Sequence, residues 1–266
     1  MKIVAHIPGK EILERNLKRI ERAAANGFGV ELQLTADVLE NVPLKFFAKV
    51  KEILKEKPVT FHAPFLDLNP GAVDSYVREA TIKRYREMKP IEEILNPEGI
   101  VFHSGFHPRK ILPIYDRWFR NCVDTFQQIA DLFKNTKIAI ENVFDETPEH
   151  LIKLISAIDR ENAGICLDIG HWKIFSSLPL SEWIESCKDK LFEFHIHDND
   201  GKNDLHIAAG EGTIDFSDLI KLLNSKKNIS QILTMEAKTE EDQLKSYNFI
   251  LSNLQGVKNG NTTLSS

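Results

Sequence analysis

Eight short apolar runs alternate with longer amphipathic stretches along the chain, and this alternation restricts the fold more than any other feature of the sequence. The runs are KIVAHI, FGVELQL, PVTFHA, GIVFHS, KIAIEN, AGICLDI, LFEFHIH and QILTMEA. Each is brief, mostly β-branched or aromatic, and close to Gly, Pro or polar breaks, as strands require. Between them, residues 10–26, 44–56, 72–95, 111–134, 148–159, 180–189, 215–225 and 239–254 carry helical spacing, as in Leu151, Leu154, Ile155 and Ile158. Strands alternating with helices pair in parallel, so eight repeats predict an α/β fold of the (β/α)8 TIM-barrel type, with an open doubly wound sheet as the alternative. At 266 residues and 42% hydrophobic content the chain can build one such domain, expected over residues 1–254, with residues 255–266 as a frayed tail.

Composition narrows the function classes. The net charge of -5 offers no general attraction for polyanions, which disfavours nucleic acid as a partner. Cys122, Cys166 and Cys187 lie far apart with no Cys-x-x-Cys pair, so neither a disulfide framework nor a thiolate zinc site is expected, and a cytoplasmic location fits best. No apolar window approaches the ~18 residues of a membrane span, and MKIVAHIPGK is too short an apolar start for a signal peptide. GFGVEL lacks the third glycine of a dinucleotide fingerprint and precedes a strand instead of opening a helix. GEGTIDFSDLI reads as a turn with Asp215 capping a helix, though its amides could still face a substrate.

The ionisable residues gather at one end of the expected barrel. His62, His103, Glu141, Asp168, His195 and Glu236 close successive strands from the third to the eighth, and C-terminal strand ends share one rim where barrel active sites are built. Carboxylates crowded there repel one another unless a cation intervenes, and a His/Asp/Glu set without thiolate suits Zn, Mn, Co, Mg or a related divalent ion. Glu141 and Glu236 each end an apolar strand, where an unpaired carboxylate is expensive. Asp168 also reads as a helix cap, with His171 three residues on in the loop above, and both are favoured as ligands. The stretch FHIHDNDGKNDLH adds His197, which shares the strand face of His195 and stands between ligation and an outer role. His6 is expected to line the pocket, Glu31 to pair with a cation inside the barrel, and His107 and His150 to lie in loops. Phe65, Phe106, Phe144 and Trp172, each within four residues of a proposed ligand, are candidate pocket walls, since sugar C–H faces pack well on aromatic rings.

Taken in order, AHI, FHAPF, VFHSG, IAIENV, CLDIGHW, FHIHDND, DLHIAAGEG and LTMEA resemble the xylose isomerase-like barrel superfamily over nearly the whole chain. That superfamily contains sugar phosphate isomerases and epimerases together with DNA-repair enzymes of the endonuclease IV type. The resemblance to the ketose epimerases implies one divalent ion on Glu141, Asp168, His195 and Glu236. The resemblance to the repair branch implies a cluster of up to three ions, with His62 and His103 matching ligands of one added ion and His171, Asp204 and His206 those of another.

Two readings follow. In the first, a sugar or sugar phosphate isomerase or epimerase, Glu141 and Glu236 exchange a carbon-bound proton while the metal stabilises an enediolate. In the second, a metal cluster hydrolyses a phosphodiester at an abasic site in DNA. Repair enzymes need basic, wedge-like loops above the rim, whereas HIPGKEI and LTADVLENVPL hold one lysine and no arginine. The sugar reading is therefore the expectation, with His6, Phe65, Phe106, Trp172 and His197 on the substrate side. A binding protein with a vestigial site is a rarer third option, and assembly into a homo-oligomer is left open.

Overall fold

Each of the eight apolar runs forms a strand. In the computed structural model, which describes residues 1–225 and 231–254, these are β1 (Lys2–Ile7), β2 (Gly29–Gln33), β3 (Val59–His62), β4 (Gly99–His103), β5 (Lys137–Glu141), β6 (Ala163–Asp168), β7 (Leu191–Ile196) and β8 (Ile232–Met235). Neighbours pair in parallel in sequence order, and β8 returns to β1 through Lys2–Ile232 and Ala5–Met235, so the sheet closes into a (β/α)8 barrel instead of the open alternative. The expected tail, residues 255–266, lies outside the described residues.

The two-residue strand period sorts the side chains. Ile7, Leu32, Phe61, Phe102, Ile140, Leu167, Phe194 and Met235 point outward into the main core, where they meet helix residues such as Phe47, Trp118, Phe126 and Trp183. Each such side chain, fully buried, contributes roughly 1.5–3 kcal/mol relative to exposure. The intervening positions face the barrel axis. Val101, Ala139 and Cys166 fill a small inner cluster, and Thr60 and Thr234 give their hydroxyls to the buried carboxyl of Glu193. One level higher, the same alternation brings His6, Glu31, Gln33, His62, His103, Glu141, Asp168 and His195 to the barrel mouth.

The helices depart from the expected spans for local reasons. The span 10–26 divides into Gly9–Leu13 and Lys18–Ala25 because Arg15 takes a left-handed conformation at φ 57°. The span 72–95 divides into Ser75–Arg86 and Lys89–Leu95, with Pro90 near the second start, where its missing N–H is harmless. Two segments read as rim loops are partly helical. LTADVLENVPL holds Ala36–Asn41, capped by Thr35, and the loop expected around His171 is the helix Ile169–Phe175. His150 lies on the helix Glu149–Ile158, not in a loop.

Candidate metal centre

Glu141 ends β5 with its carboxylate shared between two groups of imidazoles. Its Oε2 lies 3.1 Å from Nε2 of His103 and 3.3 Å from Nε2 of His62, while Oε1 lies 3.2 Å from Nδ1 of His171 and 3.5 Å from Nδ1 of His195. The next residue, Asn142, ties β5 to β6 by accepting the N–H of Asp168 at 2.7 Å and donating to its carbonyl at 2.9 Å. Asp168 is both a cap and part of the cluster: its Oδ1 accepts the N–H of His171 at 2.6 Å, and its Oδ2 lies 3.7 Å from Nδ1 of His195. Glu236, one residue past β8, is held in register by its N–H to the Ile196 carbonyl and places Oε2 3.1 Å from Nδ1 of His195.

Several groups of donors have their ligand atoms within 4.8 Å of one another, among them Glu141, Asp168, His195 and Glu236; His62, His103 and Glu141, which shares Glu141 with the first; and His171, Asp204 and His206; others are His197, His206 and Glu236, and His6, Glu31 and Glu236. The ring orientations test whether a cation fits. Nδ1 lies 3.0 Å from a main-chain carbonyl in His62 (Ala63), His171 (Asn142) and His206 (Glu236). A carbonyl can only accept, so Nδ1 bears the hydrogen and Nε2 of the neutral ring presents a lone pair. Those Nε2 atoms face carboxylate oxygens, Glu141 for His62 and Asp204 for His171 and His206. Two sets of lone pairs at such range need a positive charge between them, either a proton that turns the ring into an imidazolium donor or a bound cation that takes the proton's place. His195 Nδ1 and Glu236 Oε2 make the same point, being buried and close yet without a hydrogen-bond partner. The residues therefore fit a divalent ion of the nitrogen- and oxygen-binding kind.

The same charges act on the protons. Burial alone would favour the neutral His62 ring, but the Glu141 carboxylate outweighs it and raises the pKa to about 9. Burial is likewise outweighed at His206, raised to about 9 by Asp204, and at His171 and His195, both held well above the usual imidazole value by the surrounding acids. His103 is the exception, since burial prevails over Glu141 and lowers it. Glu141 and Asp168 would be raised by burial, yet the imidazoles hold both well below the carboxylate range, and Glu31, Asp204 and Glu236 move in the same direction. Beneath them Glu193 is pushed up to about 8 by burial and by the charge of Glu31.

Above the donors lies a cavity of about 570 Å³, lined by His6, His62, His103, Glu141, His171, Asp204, His206 and Glu236, with Phe65, Phe144 and Phe175 as aromatic walls. Three of the residues expected on the substrate side lie elsewhere. Phe106 stacks on His150 with ring centroids 4.0 Å apart and lines a separate cavity with Tyr115 and Asp145. Trp172 turns away, donating Nε1–H to the Leu178 carbonyl. His197 is fully buried behind the cluster, 3.2 Å from both Asp168 oxygens and stacked on His206 at 3.8 Å. The amides of the GEG turn do not reach the cavity either: those of Gly210, Gly212 and Ile214 donate to the Asp198 carboxylate. Gln33, Phe175 and Lys238 line the cavity without having been singled out, and nothing in their local sequence marks them.

A family model described as the xylose isomerase-like TIM barrel matches residues 20–252. The chain belongs to this family. Among relatives within reach of the family's sequences, protein MJ1311 of Methanocaldococcus jannaschii is 31% identical over 215 residues, covering 76% of this chain and 72% of its own. A probable endonuclease 4 of Carboxydothermus hydrogenoformans is 28% identical over 225 residues, covering 76% and 78%. Among solved structures with the family's barrel, one described as a D-tagatose 3-epimerase-like protein superposes with a TM-score of 0.80 at 26% identity, covering 96% of this chain and 97% of the other. No helix among the described residues is long and apolar enough to cross a membrane.

Proposed function

We propose that the protein is a divalent-metal-dependent isomerase or epimerase of a sugar or sugar phosphate. The observation that carries this reading is the pair of glutamates, Glu141 from β5 and Glu236 from the end of β8, three strands apart around the barrel and facing one cavity. A divalent ion on Glu141, Asp168, His195 and Glu236 would polarise neighbouring carbonyl and hydroxyl oxygens of the sugar and acidify the adjacent C–H. Both glutamates are held ionised, so either can accept that proton. In an epimerisation one takes it from one face and the other returns it from the opposite face; in an aldose–ketose isomerisation one base carries it between neighbouring carbons. Phe65, Phe144 and Phe175 offer rings to the sugar C–H faces and exclude water, His6 offers a polar contact, and the cavity is of the size small-molecule sites occupy. The likeness to the D-tagatose 3-epimerase-like protein supports the reading.

A second reading, metal-dependent hydrolysis of a phosphodiester, is favoured by the full set of nine donors in three groups and by the endonuclease 4 relative. Against it, Lys238 is the one lysine or arginine among the described residues lining the cavity, far short of what a nucleic-acid backbone demands. Incubation with a panel of ketoses and their phosphates in deuterated water, with Mn, Co or Zn supplied, separates the two. Solvent deuterium is expected at the carbon beside the carbonyl, and Glu236→Gln should slow its entry by about 10²- to 10⁴-fold, with metal content measured in parallel. No exchange with any sugar, together with metal-dependent cleavage of abasic DNA, would replace the first reading by the second.

A further inference from the structure

Four of the five histidines of the centre are held from behind, in two different ways. His62, His171 and His206 rest on main-chain carbonyls, partners that no side-chain substitution removes. His195 rests on a side chain: its Nε2 lies 3.2 Å from Oε2 of Glu31 on β2. The other oxygen of Glu31, Oε1, lies 2.9 Å from Nδ1 of His6 on β1. Glu31 is fully buried and does not line the cavity, whereas His6 does.

We propose that Glu31 is the positioning residue of the centre, accepting one N–H from each ring so that His195 turns Nδ1 toward the ligand carboxylates and His6 turns Nε2 toward the substrate.

An ionised carboxylate has acceptors only, and here each oxygen serves one ring, so both rings must present N–H to it. The neutral ring of His195, the form that binds metal, then has its lone pair on Nδ1, the atom that stands 3.1 Å from Glu236, 3.5 Å from Glu141 and 3.7 Å from Asp168. The arrangement matches the one seen at His62, His171 and His206, with a carboxylate in place of the carbonyl, and a carboxylate behind a ligating imidazole also makes that imidazole a stronger donor. With Nδ1 of His6 committed to Glu31, Nε2 is the nitrogen it has for a sugar hydroxyl. Glutamine cannot reproduce this. It has one acceptor and one donor, so one of the two rings would lose its N–H acceptor and be driven to the other tautomer.

The inference rests on the metal-dependent reading, and three measurements on the full chain test it. Zinc affinity, measured by competition with a chelator, should fall about 10- to 100-fold in Glu31→Gln. The visible absorption of the cobalt-loaded protein should change in the same variant. In nitrogen-15 histidine spectra of the unaltered zinc-loaded protein, one-bond N–H signals should sit at Nε2 of His195 and Nδ1 of His6, a readout that needs no variant to fold. N–H at Nε2 of His6 with Nδ1 bare, or unchanged zinc affinity and cobalt spectrum in a folded Glu31→Gln, overturns the proposal. Lost thermal stability with zinc affinity and both tautomers retained would reduce Glu31 to packing and overturn it equally. If the unaltered chain takes up no zinc, the metal reading itself fails, an outcome distinct from zinc uptake that Glu31→Gln leaves untouched.

Discussion

Glu141 lies between His62 and His103 on one side and His171 and His195 on the other, so a change there reaches both sides at once. Glu141→Gln keeps the shape and removes a formal charge. Metal content of the purified variant should fall in both of the donor groups that contain Glu141, and full occupancy would exclude it as the shared ligand. The histidines on one side are separable: His62→Ala or His103→Ala should cost the ion they help to hold while the one on Asp168, His195 and Glu236 stays bound. Loss of all metal in either variant would contradict that division. Protons compete at the same atoms. A metal needs bare Nε2, and His62 and His206 keep their protons up to about pH 9, so zinc uptake between neutral pH and 9 should release protons and tighten as pH rises. Titrating zinc into lightly buffered protein and following the pH checks the sign.

The segment from β7 through the helix Ser217–Asn224 shows how much of the centre depends on one loop. Asp198, just past β7, accepts the amides of Asn199, Gly210, Gly212 and Ile214 at 2.8–3.1 Å and pairs with Ile207 across a short antiparallel bridge. Between those anchors lie Asp204 and His206. Asp198→Asn swaps an acceptor for a donor that faces amides, which should cost about 3 kcal/mol in a denaturant titration and empty the group containing Asp204 before the others. The sequence shows the strands because burial on both faces forces compact apolar runs, and it shows the strand-end donors because a period of two fixes their side. Loop direction is not encoded in that way. Phe106 and Trp172 sit close in sequence to His103 and His171, yet backbone turns send their rings elsewhere, and the GEG amides were open to a ligand only until a folded Asp198 took them. The break at Arg15 and the short helices Ala36–Asn41 and Ile169–Phe175 escaped because a period of 3.6 needs more residues than they contain. Glu31 stood out in VELQL as a partner for a buried cation, but its two histidine partners come from other strands and become visible only when the barrel closes.

For the whole molecule, ions that bind the folded centre and not the unfolded chain stabilise by mass action. Free zinc at a hundred times its dissociation constant adds about 2.7 kcal/mol, which for a chain of this length should raise the melting temperature by about 5–10 °C, and a chelator should reverse the shift. The pH dependence of the two forms should differ. In metal-free protein, His62 and His206 have folded-state values raised above the ordinary 6.5, so their stabilising contribution is complete below that value and is lost as pH climbs through about 9. Melting temperature without metal should therefore fall over that window, while the zinc-loaded protein should hold level; a parallel fall in both would show that the centre does not govern it. The seam where β8 meets β1 also sets an order of events at the ribosome. His6 leaves the tunnel early and Glu236 late, so until the final strand emerges the nascent chain carries two raw sheet edges and an incomplete set of donors. The group of Glu141, Asp168, His195 and Glu236 is complete only after translation has passed Glu236, and a product cut short before β8 would be at once short of that group and prone to stick to its neighbours.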